Sequence, residues 1–476
     1  MTECKPTELH LHALGSREVV ARFDGGAIRS DAGGILLPEV ERRTGIIRRF
    51  AECFTDYRDQ NLIEHSVHDL LAQRIYALAL GHEDLNDHDS LRLDPLLAVL
   101  VGKADPTGKD RVRQRDKGRA LAGKSTLNRL ELTPSGADES SRYKKIVASC
   151  SSVENVFVQL FLDAHAGDAG APERIVLDLD ATDDRVHGGQ LGRFYHGYYG
   201  DYCFLPLYIF CGEHLLCAAL RPADIDASAG ATTHLQRIIG LIRAKWPNVK
   251  IIVRGDSGFC REPIMAWCEA NHVDFLFGLA KNRRLIGAIA DELRQARAQF
   301  EQTREAARVF KDFEYQTLKS WTRQRRVVGK AEYLGGKHNP RFVVTSLSQE
   351  AFDAVTLYEK QYCARGEMEN RIKEQQLYLF ADRTSAESMR ANQLRLWFSS
   401  LAYTLLAALR RLGLSGTEME SARCDTIRVK LLKIGARVRV TVRKIWISLS
   451  EAYPLAPLFA RIMANIQRLP VIPLRR

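Results

Sequence analysis

The sequence predicts an α/β fold: a mixed-sheet core that carries a β-rich insertion and follows a helical N-terminal region. Three observations predict it. From about residue 166, β-favouring runs alternate with amphipathic helical runs, which is the pattern of an α/β unit. A strand-rich block at 311–345, with a Gly335-Gly336 turn and Pro340, interrupts that alternation. Residues 1–165 read mainly as helices separated by polar loops rich in Arg and Lys.

In the N-terminal region, "HSVHDLLAQRIYALALGHEDL" places Val67, Leu70, Leu71, Arg74, Ile75 and Leu78 near helical spacing. Pro95 suits the start of the next helix, where its missing N–H costs nothing. "GDAGAPE" then reads as a linker, and "RIVLDLDAT" as the first core strand. "GDYCFLPLYIFCGEHLLCAALRP" reads as a hairpin turning at Cys211–His214. A helix follows, with Leu235, Ile238, Ile239 and Ile242 on one stripe and Pro247 as its stop. "NVKIIVRGDSGF" is a strand, "REPIMAWCEANH" a helix and "DFLFGLA" a strand. After a charged helical stretch at 285–310 and the β block, the chain turns helical again from Ala351. "MRANQLRLWFSSLAYTLLAALRRL" is a second long helix, and residues 424–449 read as strands.

Composition narrows the function class. No run approaches the roughly eighteen apolar residues of a membrane span, and "MTECKPTELH" lacks a signal-peptide pattern, so the reading is cytosolic, with no membrane partner. Ten scattered cysteines without a CxxC, and thirteen histidines without an HExxH, disfavour zinc ribbons, disulfide frameworks and zincin sites. Cys203, Cys211 and Cys217 read as small core residues, and His65 with His68 as at most half a metal site. The net charge of +11 points to a polyanionic partner. Residues 102–119 carry seven basic residues against three aspartates and read as a mobile basic loop. "RVRVTVRK" at 437–444 alternates basic and apolar faces, as either a solvated edge strand or a phosphate-tracking surface.

Carboxylates mark the chemistry. Asp178 and Asp180 lie two apart on a strand and so face the same way, between Leu177 and Leu179. Asp183 and Asp184 suit a turn just beyond. Asp256 follows another strand, between Gly255 and Gly258, which allow close backbone approach to a ligand. The third acid comes from a helix, "YCARGEMENRIKEQ". At about 100° per residue, Tyr362, Arg365, Glu369 and Lys373 share a stripe about 80° wide. Glu367, Arg371 and Glu374 fall on the opposite face, where Glu367–Arg371 pairing gives surface support. Two strand-end aspartates and a helical glutamate suit hard oxygen-loving ions such as Mg²⁺, one activating an attacking oxygen and one stabilising the leaving oxygen of a phosphodiester. Each acid alone suits a cap, a turn or a surface salt bridge equally well.

Taken together, Asp180-x-Thr182, Gly255-Asp256-Ser257 and Tyr362-x2-Arg365-x3-Glu369 resemble the motifs of DDE transposases with an RNase H-like catalytic core. The helix resembles the bacterial insertion-sequence group with the signature Tyr-(2)-Arg-(3)-Glu-(6)-Lys. "LDLDATDDRVHG" and "RGDSGFCRE" are most similar to its thirteen-eighty-type branch, and the likeness runs over nearly the whole chain. The resemblance implies Asp180, Asp256 and Glu369 as the catalytic, Mg²⁺- or Mn²⁺-binding triad, and Tyr362 and Arg365 as contacts to DNA phosphate. The signature lysine is replaced by Gln376, which falls on the same stripe; Lys373, one turn earlier, is the candidate to take its place.

The resemblance further implies a division into 1–165, a helical DNA-binding region; 166–300, the first part of the core; 301–347, the insertion; 348–420, the second part with the Glu369 helix; and 421–476, a basic C-terminal region. Trp321, from the insertion, would either stack on a displaced base or pack across strands. Tyr195, His196, Tyr198 and Tyr199 would either line a DNA channel beside Asp180 or pack a hairpin. The implied partners are double-stranded DNA, as terminal inverted repeats and target, and a second copy of the chain in the complex that pairs two ends. The implied location is the bacterial cytoplasm, at the nucleoid. Two other readings stay open: a DNA-binding protein without catalysis, and a metal nuclease of the same fold that cuts without joining. Asp178 is left open as an assistant to Asp180.

Overall fold

The computed structural model describes residues 8–166 and 170–472. Residues 1–7, the start of the expected linker (167–169) and the last four residues of the expected C-terminal region lie outside the described residues.

The centre is a nine-stranded mixed sheet. Its main strands are β1 (Arg174–Ala181), β2 (Leu207–Cys211), β3 (His214–Ala219), β4 (Lys250–Gly255), β5 (Asp274–Leu279), β6 (Ala307–Tyr315), β7 (Arg325–Leu334) and β8 (Arg341–Thr345). They run side by side in the order β3-β2-β1-β4-β5-β8-β7-β6, and the short strand Lys337–His338 pairs with β7. β1, β4 and β5 are parallel to one another; every other pairing is antiparallel. The β2–β3 hairpin turns at Gly212, whose φ of 58° is one that glycine adopts freely. The inserted strands do not form a separate body. β8 pairs with β5, so the insertion lengthens the core sheet.

Both faces of the sheet are covered, which is why β1 and β4 read as near-continuous apolar runs. Leu177, Leu179, Ile251 and Val253 pack with the buried stripe of the helix Ala231–Lys245 and with the helix Glu262–Ala270. On the other face, Tyr208, Phe210 and Leu215 meet a larger core. That core joins the N-terminal helices, including Val67–Leu80, to the long helix Met389–Leu409 and the helix Ala456–Gln467. Helices from both ends of the chain thus share one interior. Among the described residues, no helix is long and apolar enough to cross a membrane.

Several expectations need correction. Among the described residues, an exposed hairpin, Leu9–Leu14 with Arg17–Ala21, precedes the helices of the N-terminal region. The strand expected at 437–444 ends at Val440, and a turn leads to a partner strand at Ile445–Leu449. Residues 424–432 are helical, because Cys424, Ile427, Leu431 and Leu432 bury into the helical core. The basic stretch 102–119 does not hang free. Asp105 accepts from the backbone of Thr107 and Asp110, and Arg111 donates to Glu64 and to the Arg119 carbonyl. Asp184 does not sit in an open turn; it is buried in the strand Asp184–Arg185.

Candidate active site

Strand register sets the first two acids side by side. Gly255 on β4 pairs with Leu179 on β1, so the next residues, Asp256 and Asp180, leave neighbouring parallel strands at the same level. Asp256 is fixed by its own loop: Oδ1 accepts from the Gly258 amide at 2.8 Å. Asp180 Oδ1 accepts from the Ala181 amide at 3.0 Å.

The third acid arrives on a helical segment of uneven winding. Leu357–Tyr362 forms wide i→i+5 turns, Cys363–Arg365 a tight turn, Gly366–Lys373 an ordinary α-helix, and Glu374–Tyr378 wide turns again. Met368 and Ile372 bury, which turns Glu369 towards the aspartates. Tyr362 packs close behind: a Cβ at Gly278 on β5 would lie 2.5 Å from its hydroxyl and 3.0 Å from the Ser257 amide nitrogen, so a larger residue there would displace Tyr362.

Asp180, Asp256, Arg365, Glu369, Lys373 and Gln376 all line one cleft of about 580 Å³. Tyr362 lies behind this lining. The Arg365 guanidinium lies between two of the acids, donating to Glu369 at 2.6 Å and standing 3.7 Å from Asp180. Burial pushes the Asp180 carboxyl up to about 7; Arg365 opposes this, while Asp256 and Glu369 add to it. Burial works against the charge on Arg365, but Asp180 and Glu369 outweigh it and hold the guanidinium protonated. Gln376 donates to the Asp183 carbonyl at 3.0 Å, across the mouth of the cleft from the β1 loop.

Hard oxygen donors gathered where a carboxyl struggles to ionise suit a divalent cation, and among the described residues no Cys or Met lines the cleft. Among the described residues, no group of three or more His, Cys, Asp or Glu side chains is drawn tightly enough together to hold an ion as it stands. Arg365 supplies the positive charge between Asp180 and Glu369.

Motif comparison alone does not decide the family; the whole chain does. The family model described as transposase DDE domain group 1 matches residues 11–471. The chain belongs to this transposase family. It is thus an enzyme of DNA cleavage and transposition. None of the curated proteins matches. Among solved structures, the chain is similar to the piggyBac transposase in its synaptic complex with hairpin DNA, at 11% identity and a TM-score of 0.38, covering 93% of this chain and 83% of that one.

The transposase's other candidate residues divide. His196, Tyr198 and Tyr199 line the cleft, with Tyr198 87% exposed; Tyr195 instead packs edge-on to Tyr202 in the small sheet beside it. Trp321 does not reach the cleft. It is 6% exposed, sits edge-on to Tyr315 at 5.8 Å and lies under the Arg325 guanidinium. Glu374, expected on the helix surface, is 1% exposed. The Cys424 segment and the Arg410 guanidinium cover that face of the helix, and Glu374 there pairs with Arg371 at 2.8 Å and accepts from the Cys424 amide at 2.9 Å. Arg371 therefore pairs with Glu374, not Glu367.

Sequence reasoning also missed Arg254. A charged residue at a buried strand position needs a partner, and "IIVRGD" placed one two residues before Asp256. That parity was the available signal.

A second cleft of about 660 Å³ lies in the N-terminal region and is strongly basic. Arg92, Arg113, Arg119, Arg129 and Arg142 line it, with Lys145 and the exposed Tyr143. Buried His65, at its edge, is pushed down to about 3 by burial and then by Lys103 and Arg111.

Proposed function

We propose that this transposase is a bacterial insertion-sequence enzyme of the Tyr-Arg-Glu signature group, nearest the thirteen-eighty-type branch. It cleaves phosphodiester bonds at the element's terminal inverted repeats and joins the freed 3′-OH to target DNA. The observation that carries this reading is the convergence of Asp180, Asp256 and Glu369 on one cleft, from two strand ends and a helix. The order β3-β2-β1-β4-β5, with β2 alone antiparallel to both its neighbours within it, is the order of RNase H-like cores and supports the same reading. The residue division drawn from the resemblance is part of this reading.

Asp180, Asp256 and Glu369 would hold Mg²⁺ or Mn²⁺. Two such ions, when bound, activate the attacking oxygen and stabilise the leaving one. Arg365 would turn from the carboxylates to the scissile phosphate, where its planar fork fits two oxygens. Tyr362 would hold Arg365 in place. Lys373 and Gln376 would contact the next phosphates along the strand, Lys373 by charge and Gln376 by a hydrogen bond. His196, Tyr198 and Tyr199 would line the DNA channel on the opposite side, where the exposed Tyr198 ring would stack on a base. The basic cleft and the Arg437–Arg439 face of the C-terminal strand would track the duplex backbone away from the cut. Pairing two element ends would take two copies of the chain.

The test is an assay of cleavage and strand transfer with Mg²⁺ on DNA carrying the element's ends. Cutting followed by joining supports the proposal. Cutting without joining favours a nuclease, and specific binding without cutting favours a DNA-binding module.

A further inference from the structure

We propose that the buried Asp178–Arg254 pair is a positioning clamp that fixes the spacing of the three acid-bearing elements. The inference rests on Asp180, Asp256 and Glu369 being the catalytic acids. It assigns Asp178 to Arg254 and not to the metal site.

Asp178 and Arg254 are direct partners in the parallel β1–β4 ladder. Asp178 precedes Asp180 by two residues within β1, so their side chains leave the same face, and Arg254 precedes by two residues the Asp256 that follows the end of β4. Arg254 Nε donates to Asp178 Oδ1 at 2.5 Å, and Nη2 donates to Oδ2 at 2.8 Å. Both carboxylate oxygens are thus engaged by one planar fork, and both side chains are more than nine-tenths buried. The remaining arm, Nη1, donates to the Gln361 carbonyl.

Gln361 lies in the wide-turned segment Leu357–Tyr362, one residue before Tyr362 and eight before Glu369. Wide turns disturb the i→i+4 ladder and let an outside donor reach a carbonyl. One guanidinium therefore ties β1, β4 and the Glu369 segment together, two residues before the acid on each strand and eight before the acid on the helical segment. A lysine has one point charge and cannot make all three contacts in a plane.

A clamp and a fourth metal ligand make opposite forecasts. For a clamp, Asp178→Asn and Arg254→Lys lower the single-turnover cleavage rate by similar factors, about tenfold to a hundredfold, the cost of small misplacement at a reaction centre. The neutral double variant Asp178→Asn/Arg254→Gln loses about as much as either single variant, because the residues act as one unit. Affinity for end DNA stays within about twofold of wild type. Mn²⁺ affinity, read by electron paramagnetic resonance on the protein without DNA, shifts alike in Asp178→Asn and Arg254→Lys.

The idea is overturned if Arg254→Lys cleaves at the wild-type rate or if Asp178→Asn/Arg254→Lys loses the product of the two single losses. A loss of Mn²⁺ affinity confined to Asp178→Asn overturns it too, because Asp178 would then be a ligand. Arg254→Gln leaves a bare buried carboxylate and Asp178→Asn a bare buried guanidinium, so the rates of the single variants are taken on their folded fractions. The neutral double variant removes both charges; its failure to fold would make the pair a stability element and reject the clamp. Asp180→Ala, run in parallel, keeps the two claims apart. Wild-type activity in that variant would sink the triad itself, whatever the clamp variants do.

Discussion

Asp180 is buried at a cost that can be measured. Its carboxyl holds a proton up to about pH 7 in the fold, against an ordinary value of 3.8. The folded state therefore binds the extra proton, and stability falls as pH rises from about 4 to about 7. In a dry site the penalty at pH 8 is about 4 kcal/mol. The Asp180 side chain is 15% exposed, so water access reduces this to about 2 kcal/mol. Asp180→Asn removes the ionisable group while keeping its size. For a chain of this length the gain corresponds to about 2 °C in Tm at pH 8. Most of it disappears at pH 4.5, which lies less than one unit above the ordinary value of 3.8, so keeping the folded carboxyl protonated costs little there. Differential scanning calorimetry of both proteins at the two pH values reads the difference directly. Buried Glu41 and Asp184, raised to about 7 and about 8, share the direction but cancel in the comparison. An Asn variant that is neutral or less stable at pH 8, or equally stabilised at both pH values, would refute the reasoning.

Trp321→Ala should lower stability by about 3–5 kcal/mol, because a buried ring is lost, and leave the affinity for end DNA in the folded fraction unchanged. Tyr198→Ala should do the reverse, with Tm unchanged and end binding weaker by about tenfold, the worth of one stacking contact, in fluorescence anisotropy. Arg113→Glu with Arg129→Glu should weaken DNA binding regardless of sequence and flatten its dependence on salt, in titrations from 50 to 200 mM salt. Arg365→Ala should cost about ten- to a hundredfold in cleavage, because it removes a charge-assisted contact to phosphate.

The sequence carried the mixed sheet and the acid stripe because both rest on local periodicity. Arg365, Glu369 and Lys373 reach the same cleft because Gly366–Lys373 winds at the ordinary α-helical pitch. Glu374 was misplaced because Cys424 and Arg410, distant in sequence, cover its face of the helix, which no local pattern announces. Arg254 was read as one more strand residue. Its partners lie 76 and 107 residues away, the first placed by strand register and the second by the packing of the Leu357–Tyr362 segment. Trp321 shows the same limit: an aromatic in a β segment looks alike in sequence whether it faces solvent or, as here, lies beneath an arginine. The basic surplus was visible as charge, but its gathering of Arg92, Arg113 and Arg142 into one cleft needed the fold.

The central claim is that one glutamate of "YCARGEMENRIKEQ" acts at the cleft and its neighbours do not. The direct measurement is Mg²⁺-dependent cleavage of end DNA by Glu369→Ala beside Glu367→Ala, which changes an exposed residue on the same helix. The account predicts that Glu369→Ala binds the ends but does not cut them, while Glu367→Ala cuts at the wild-type rate. Cutting by Glu369→Ala at an undiminished rate would contradict it.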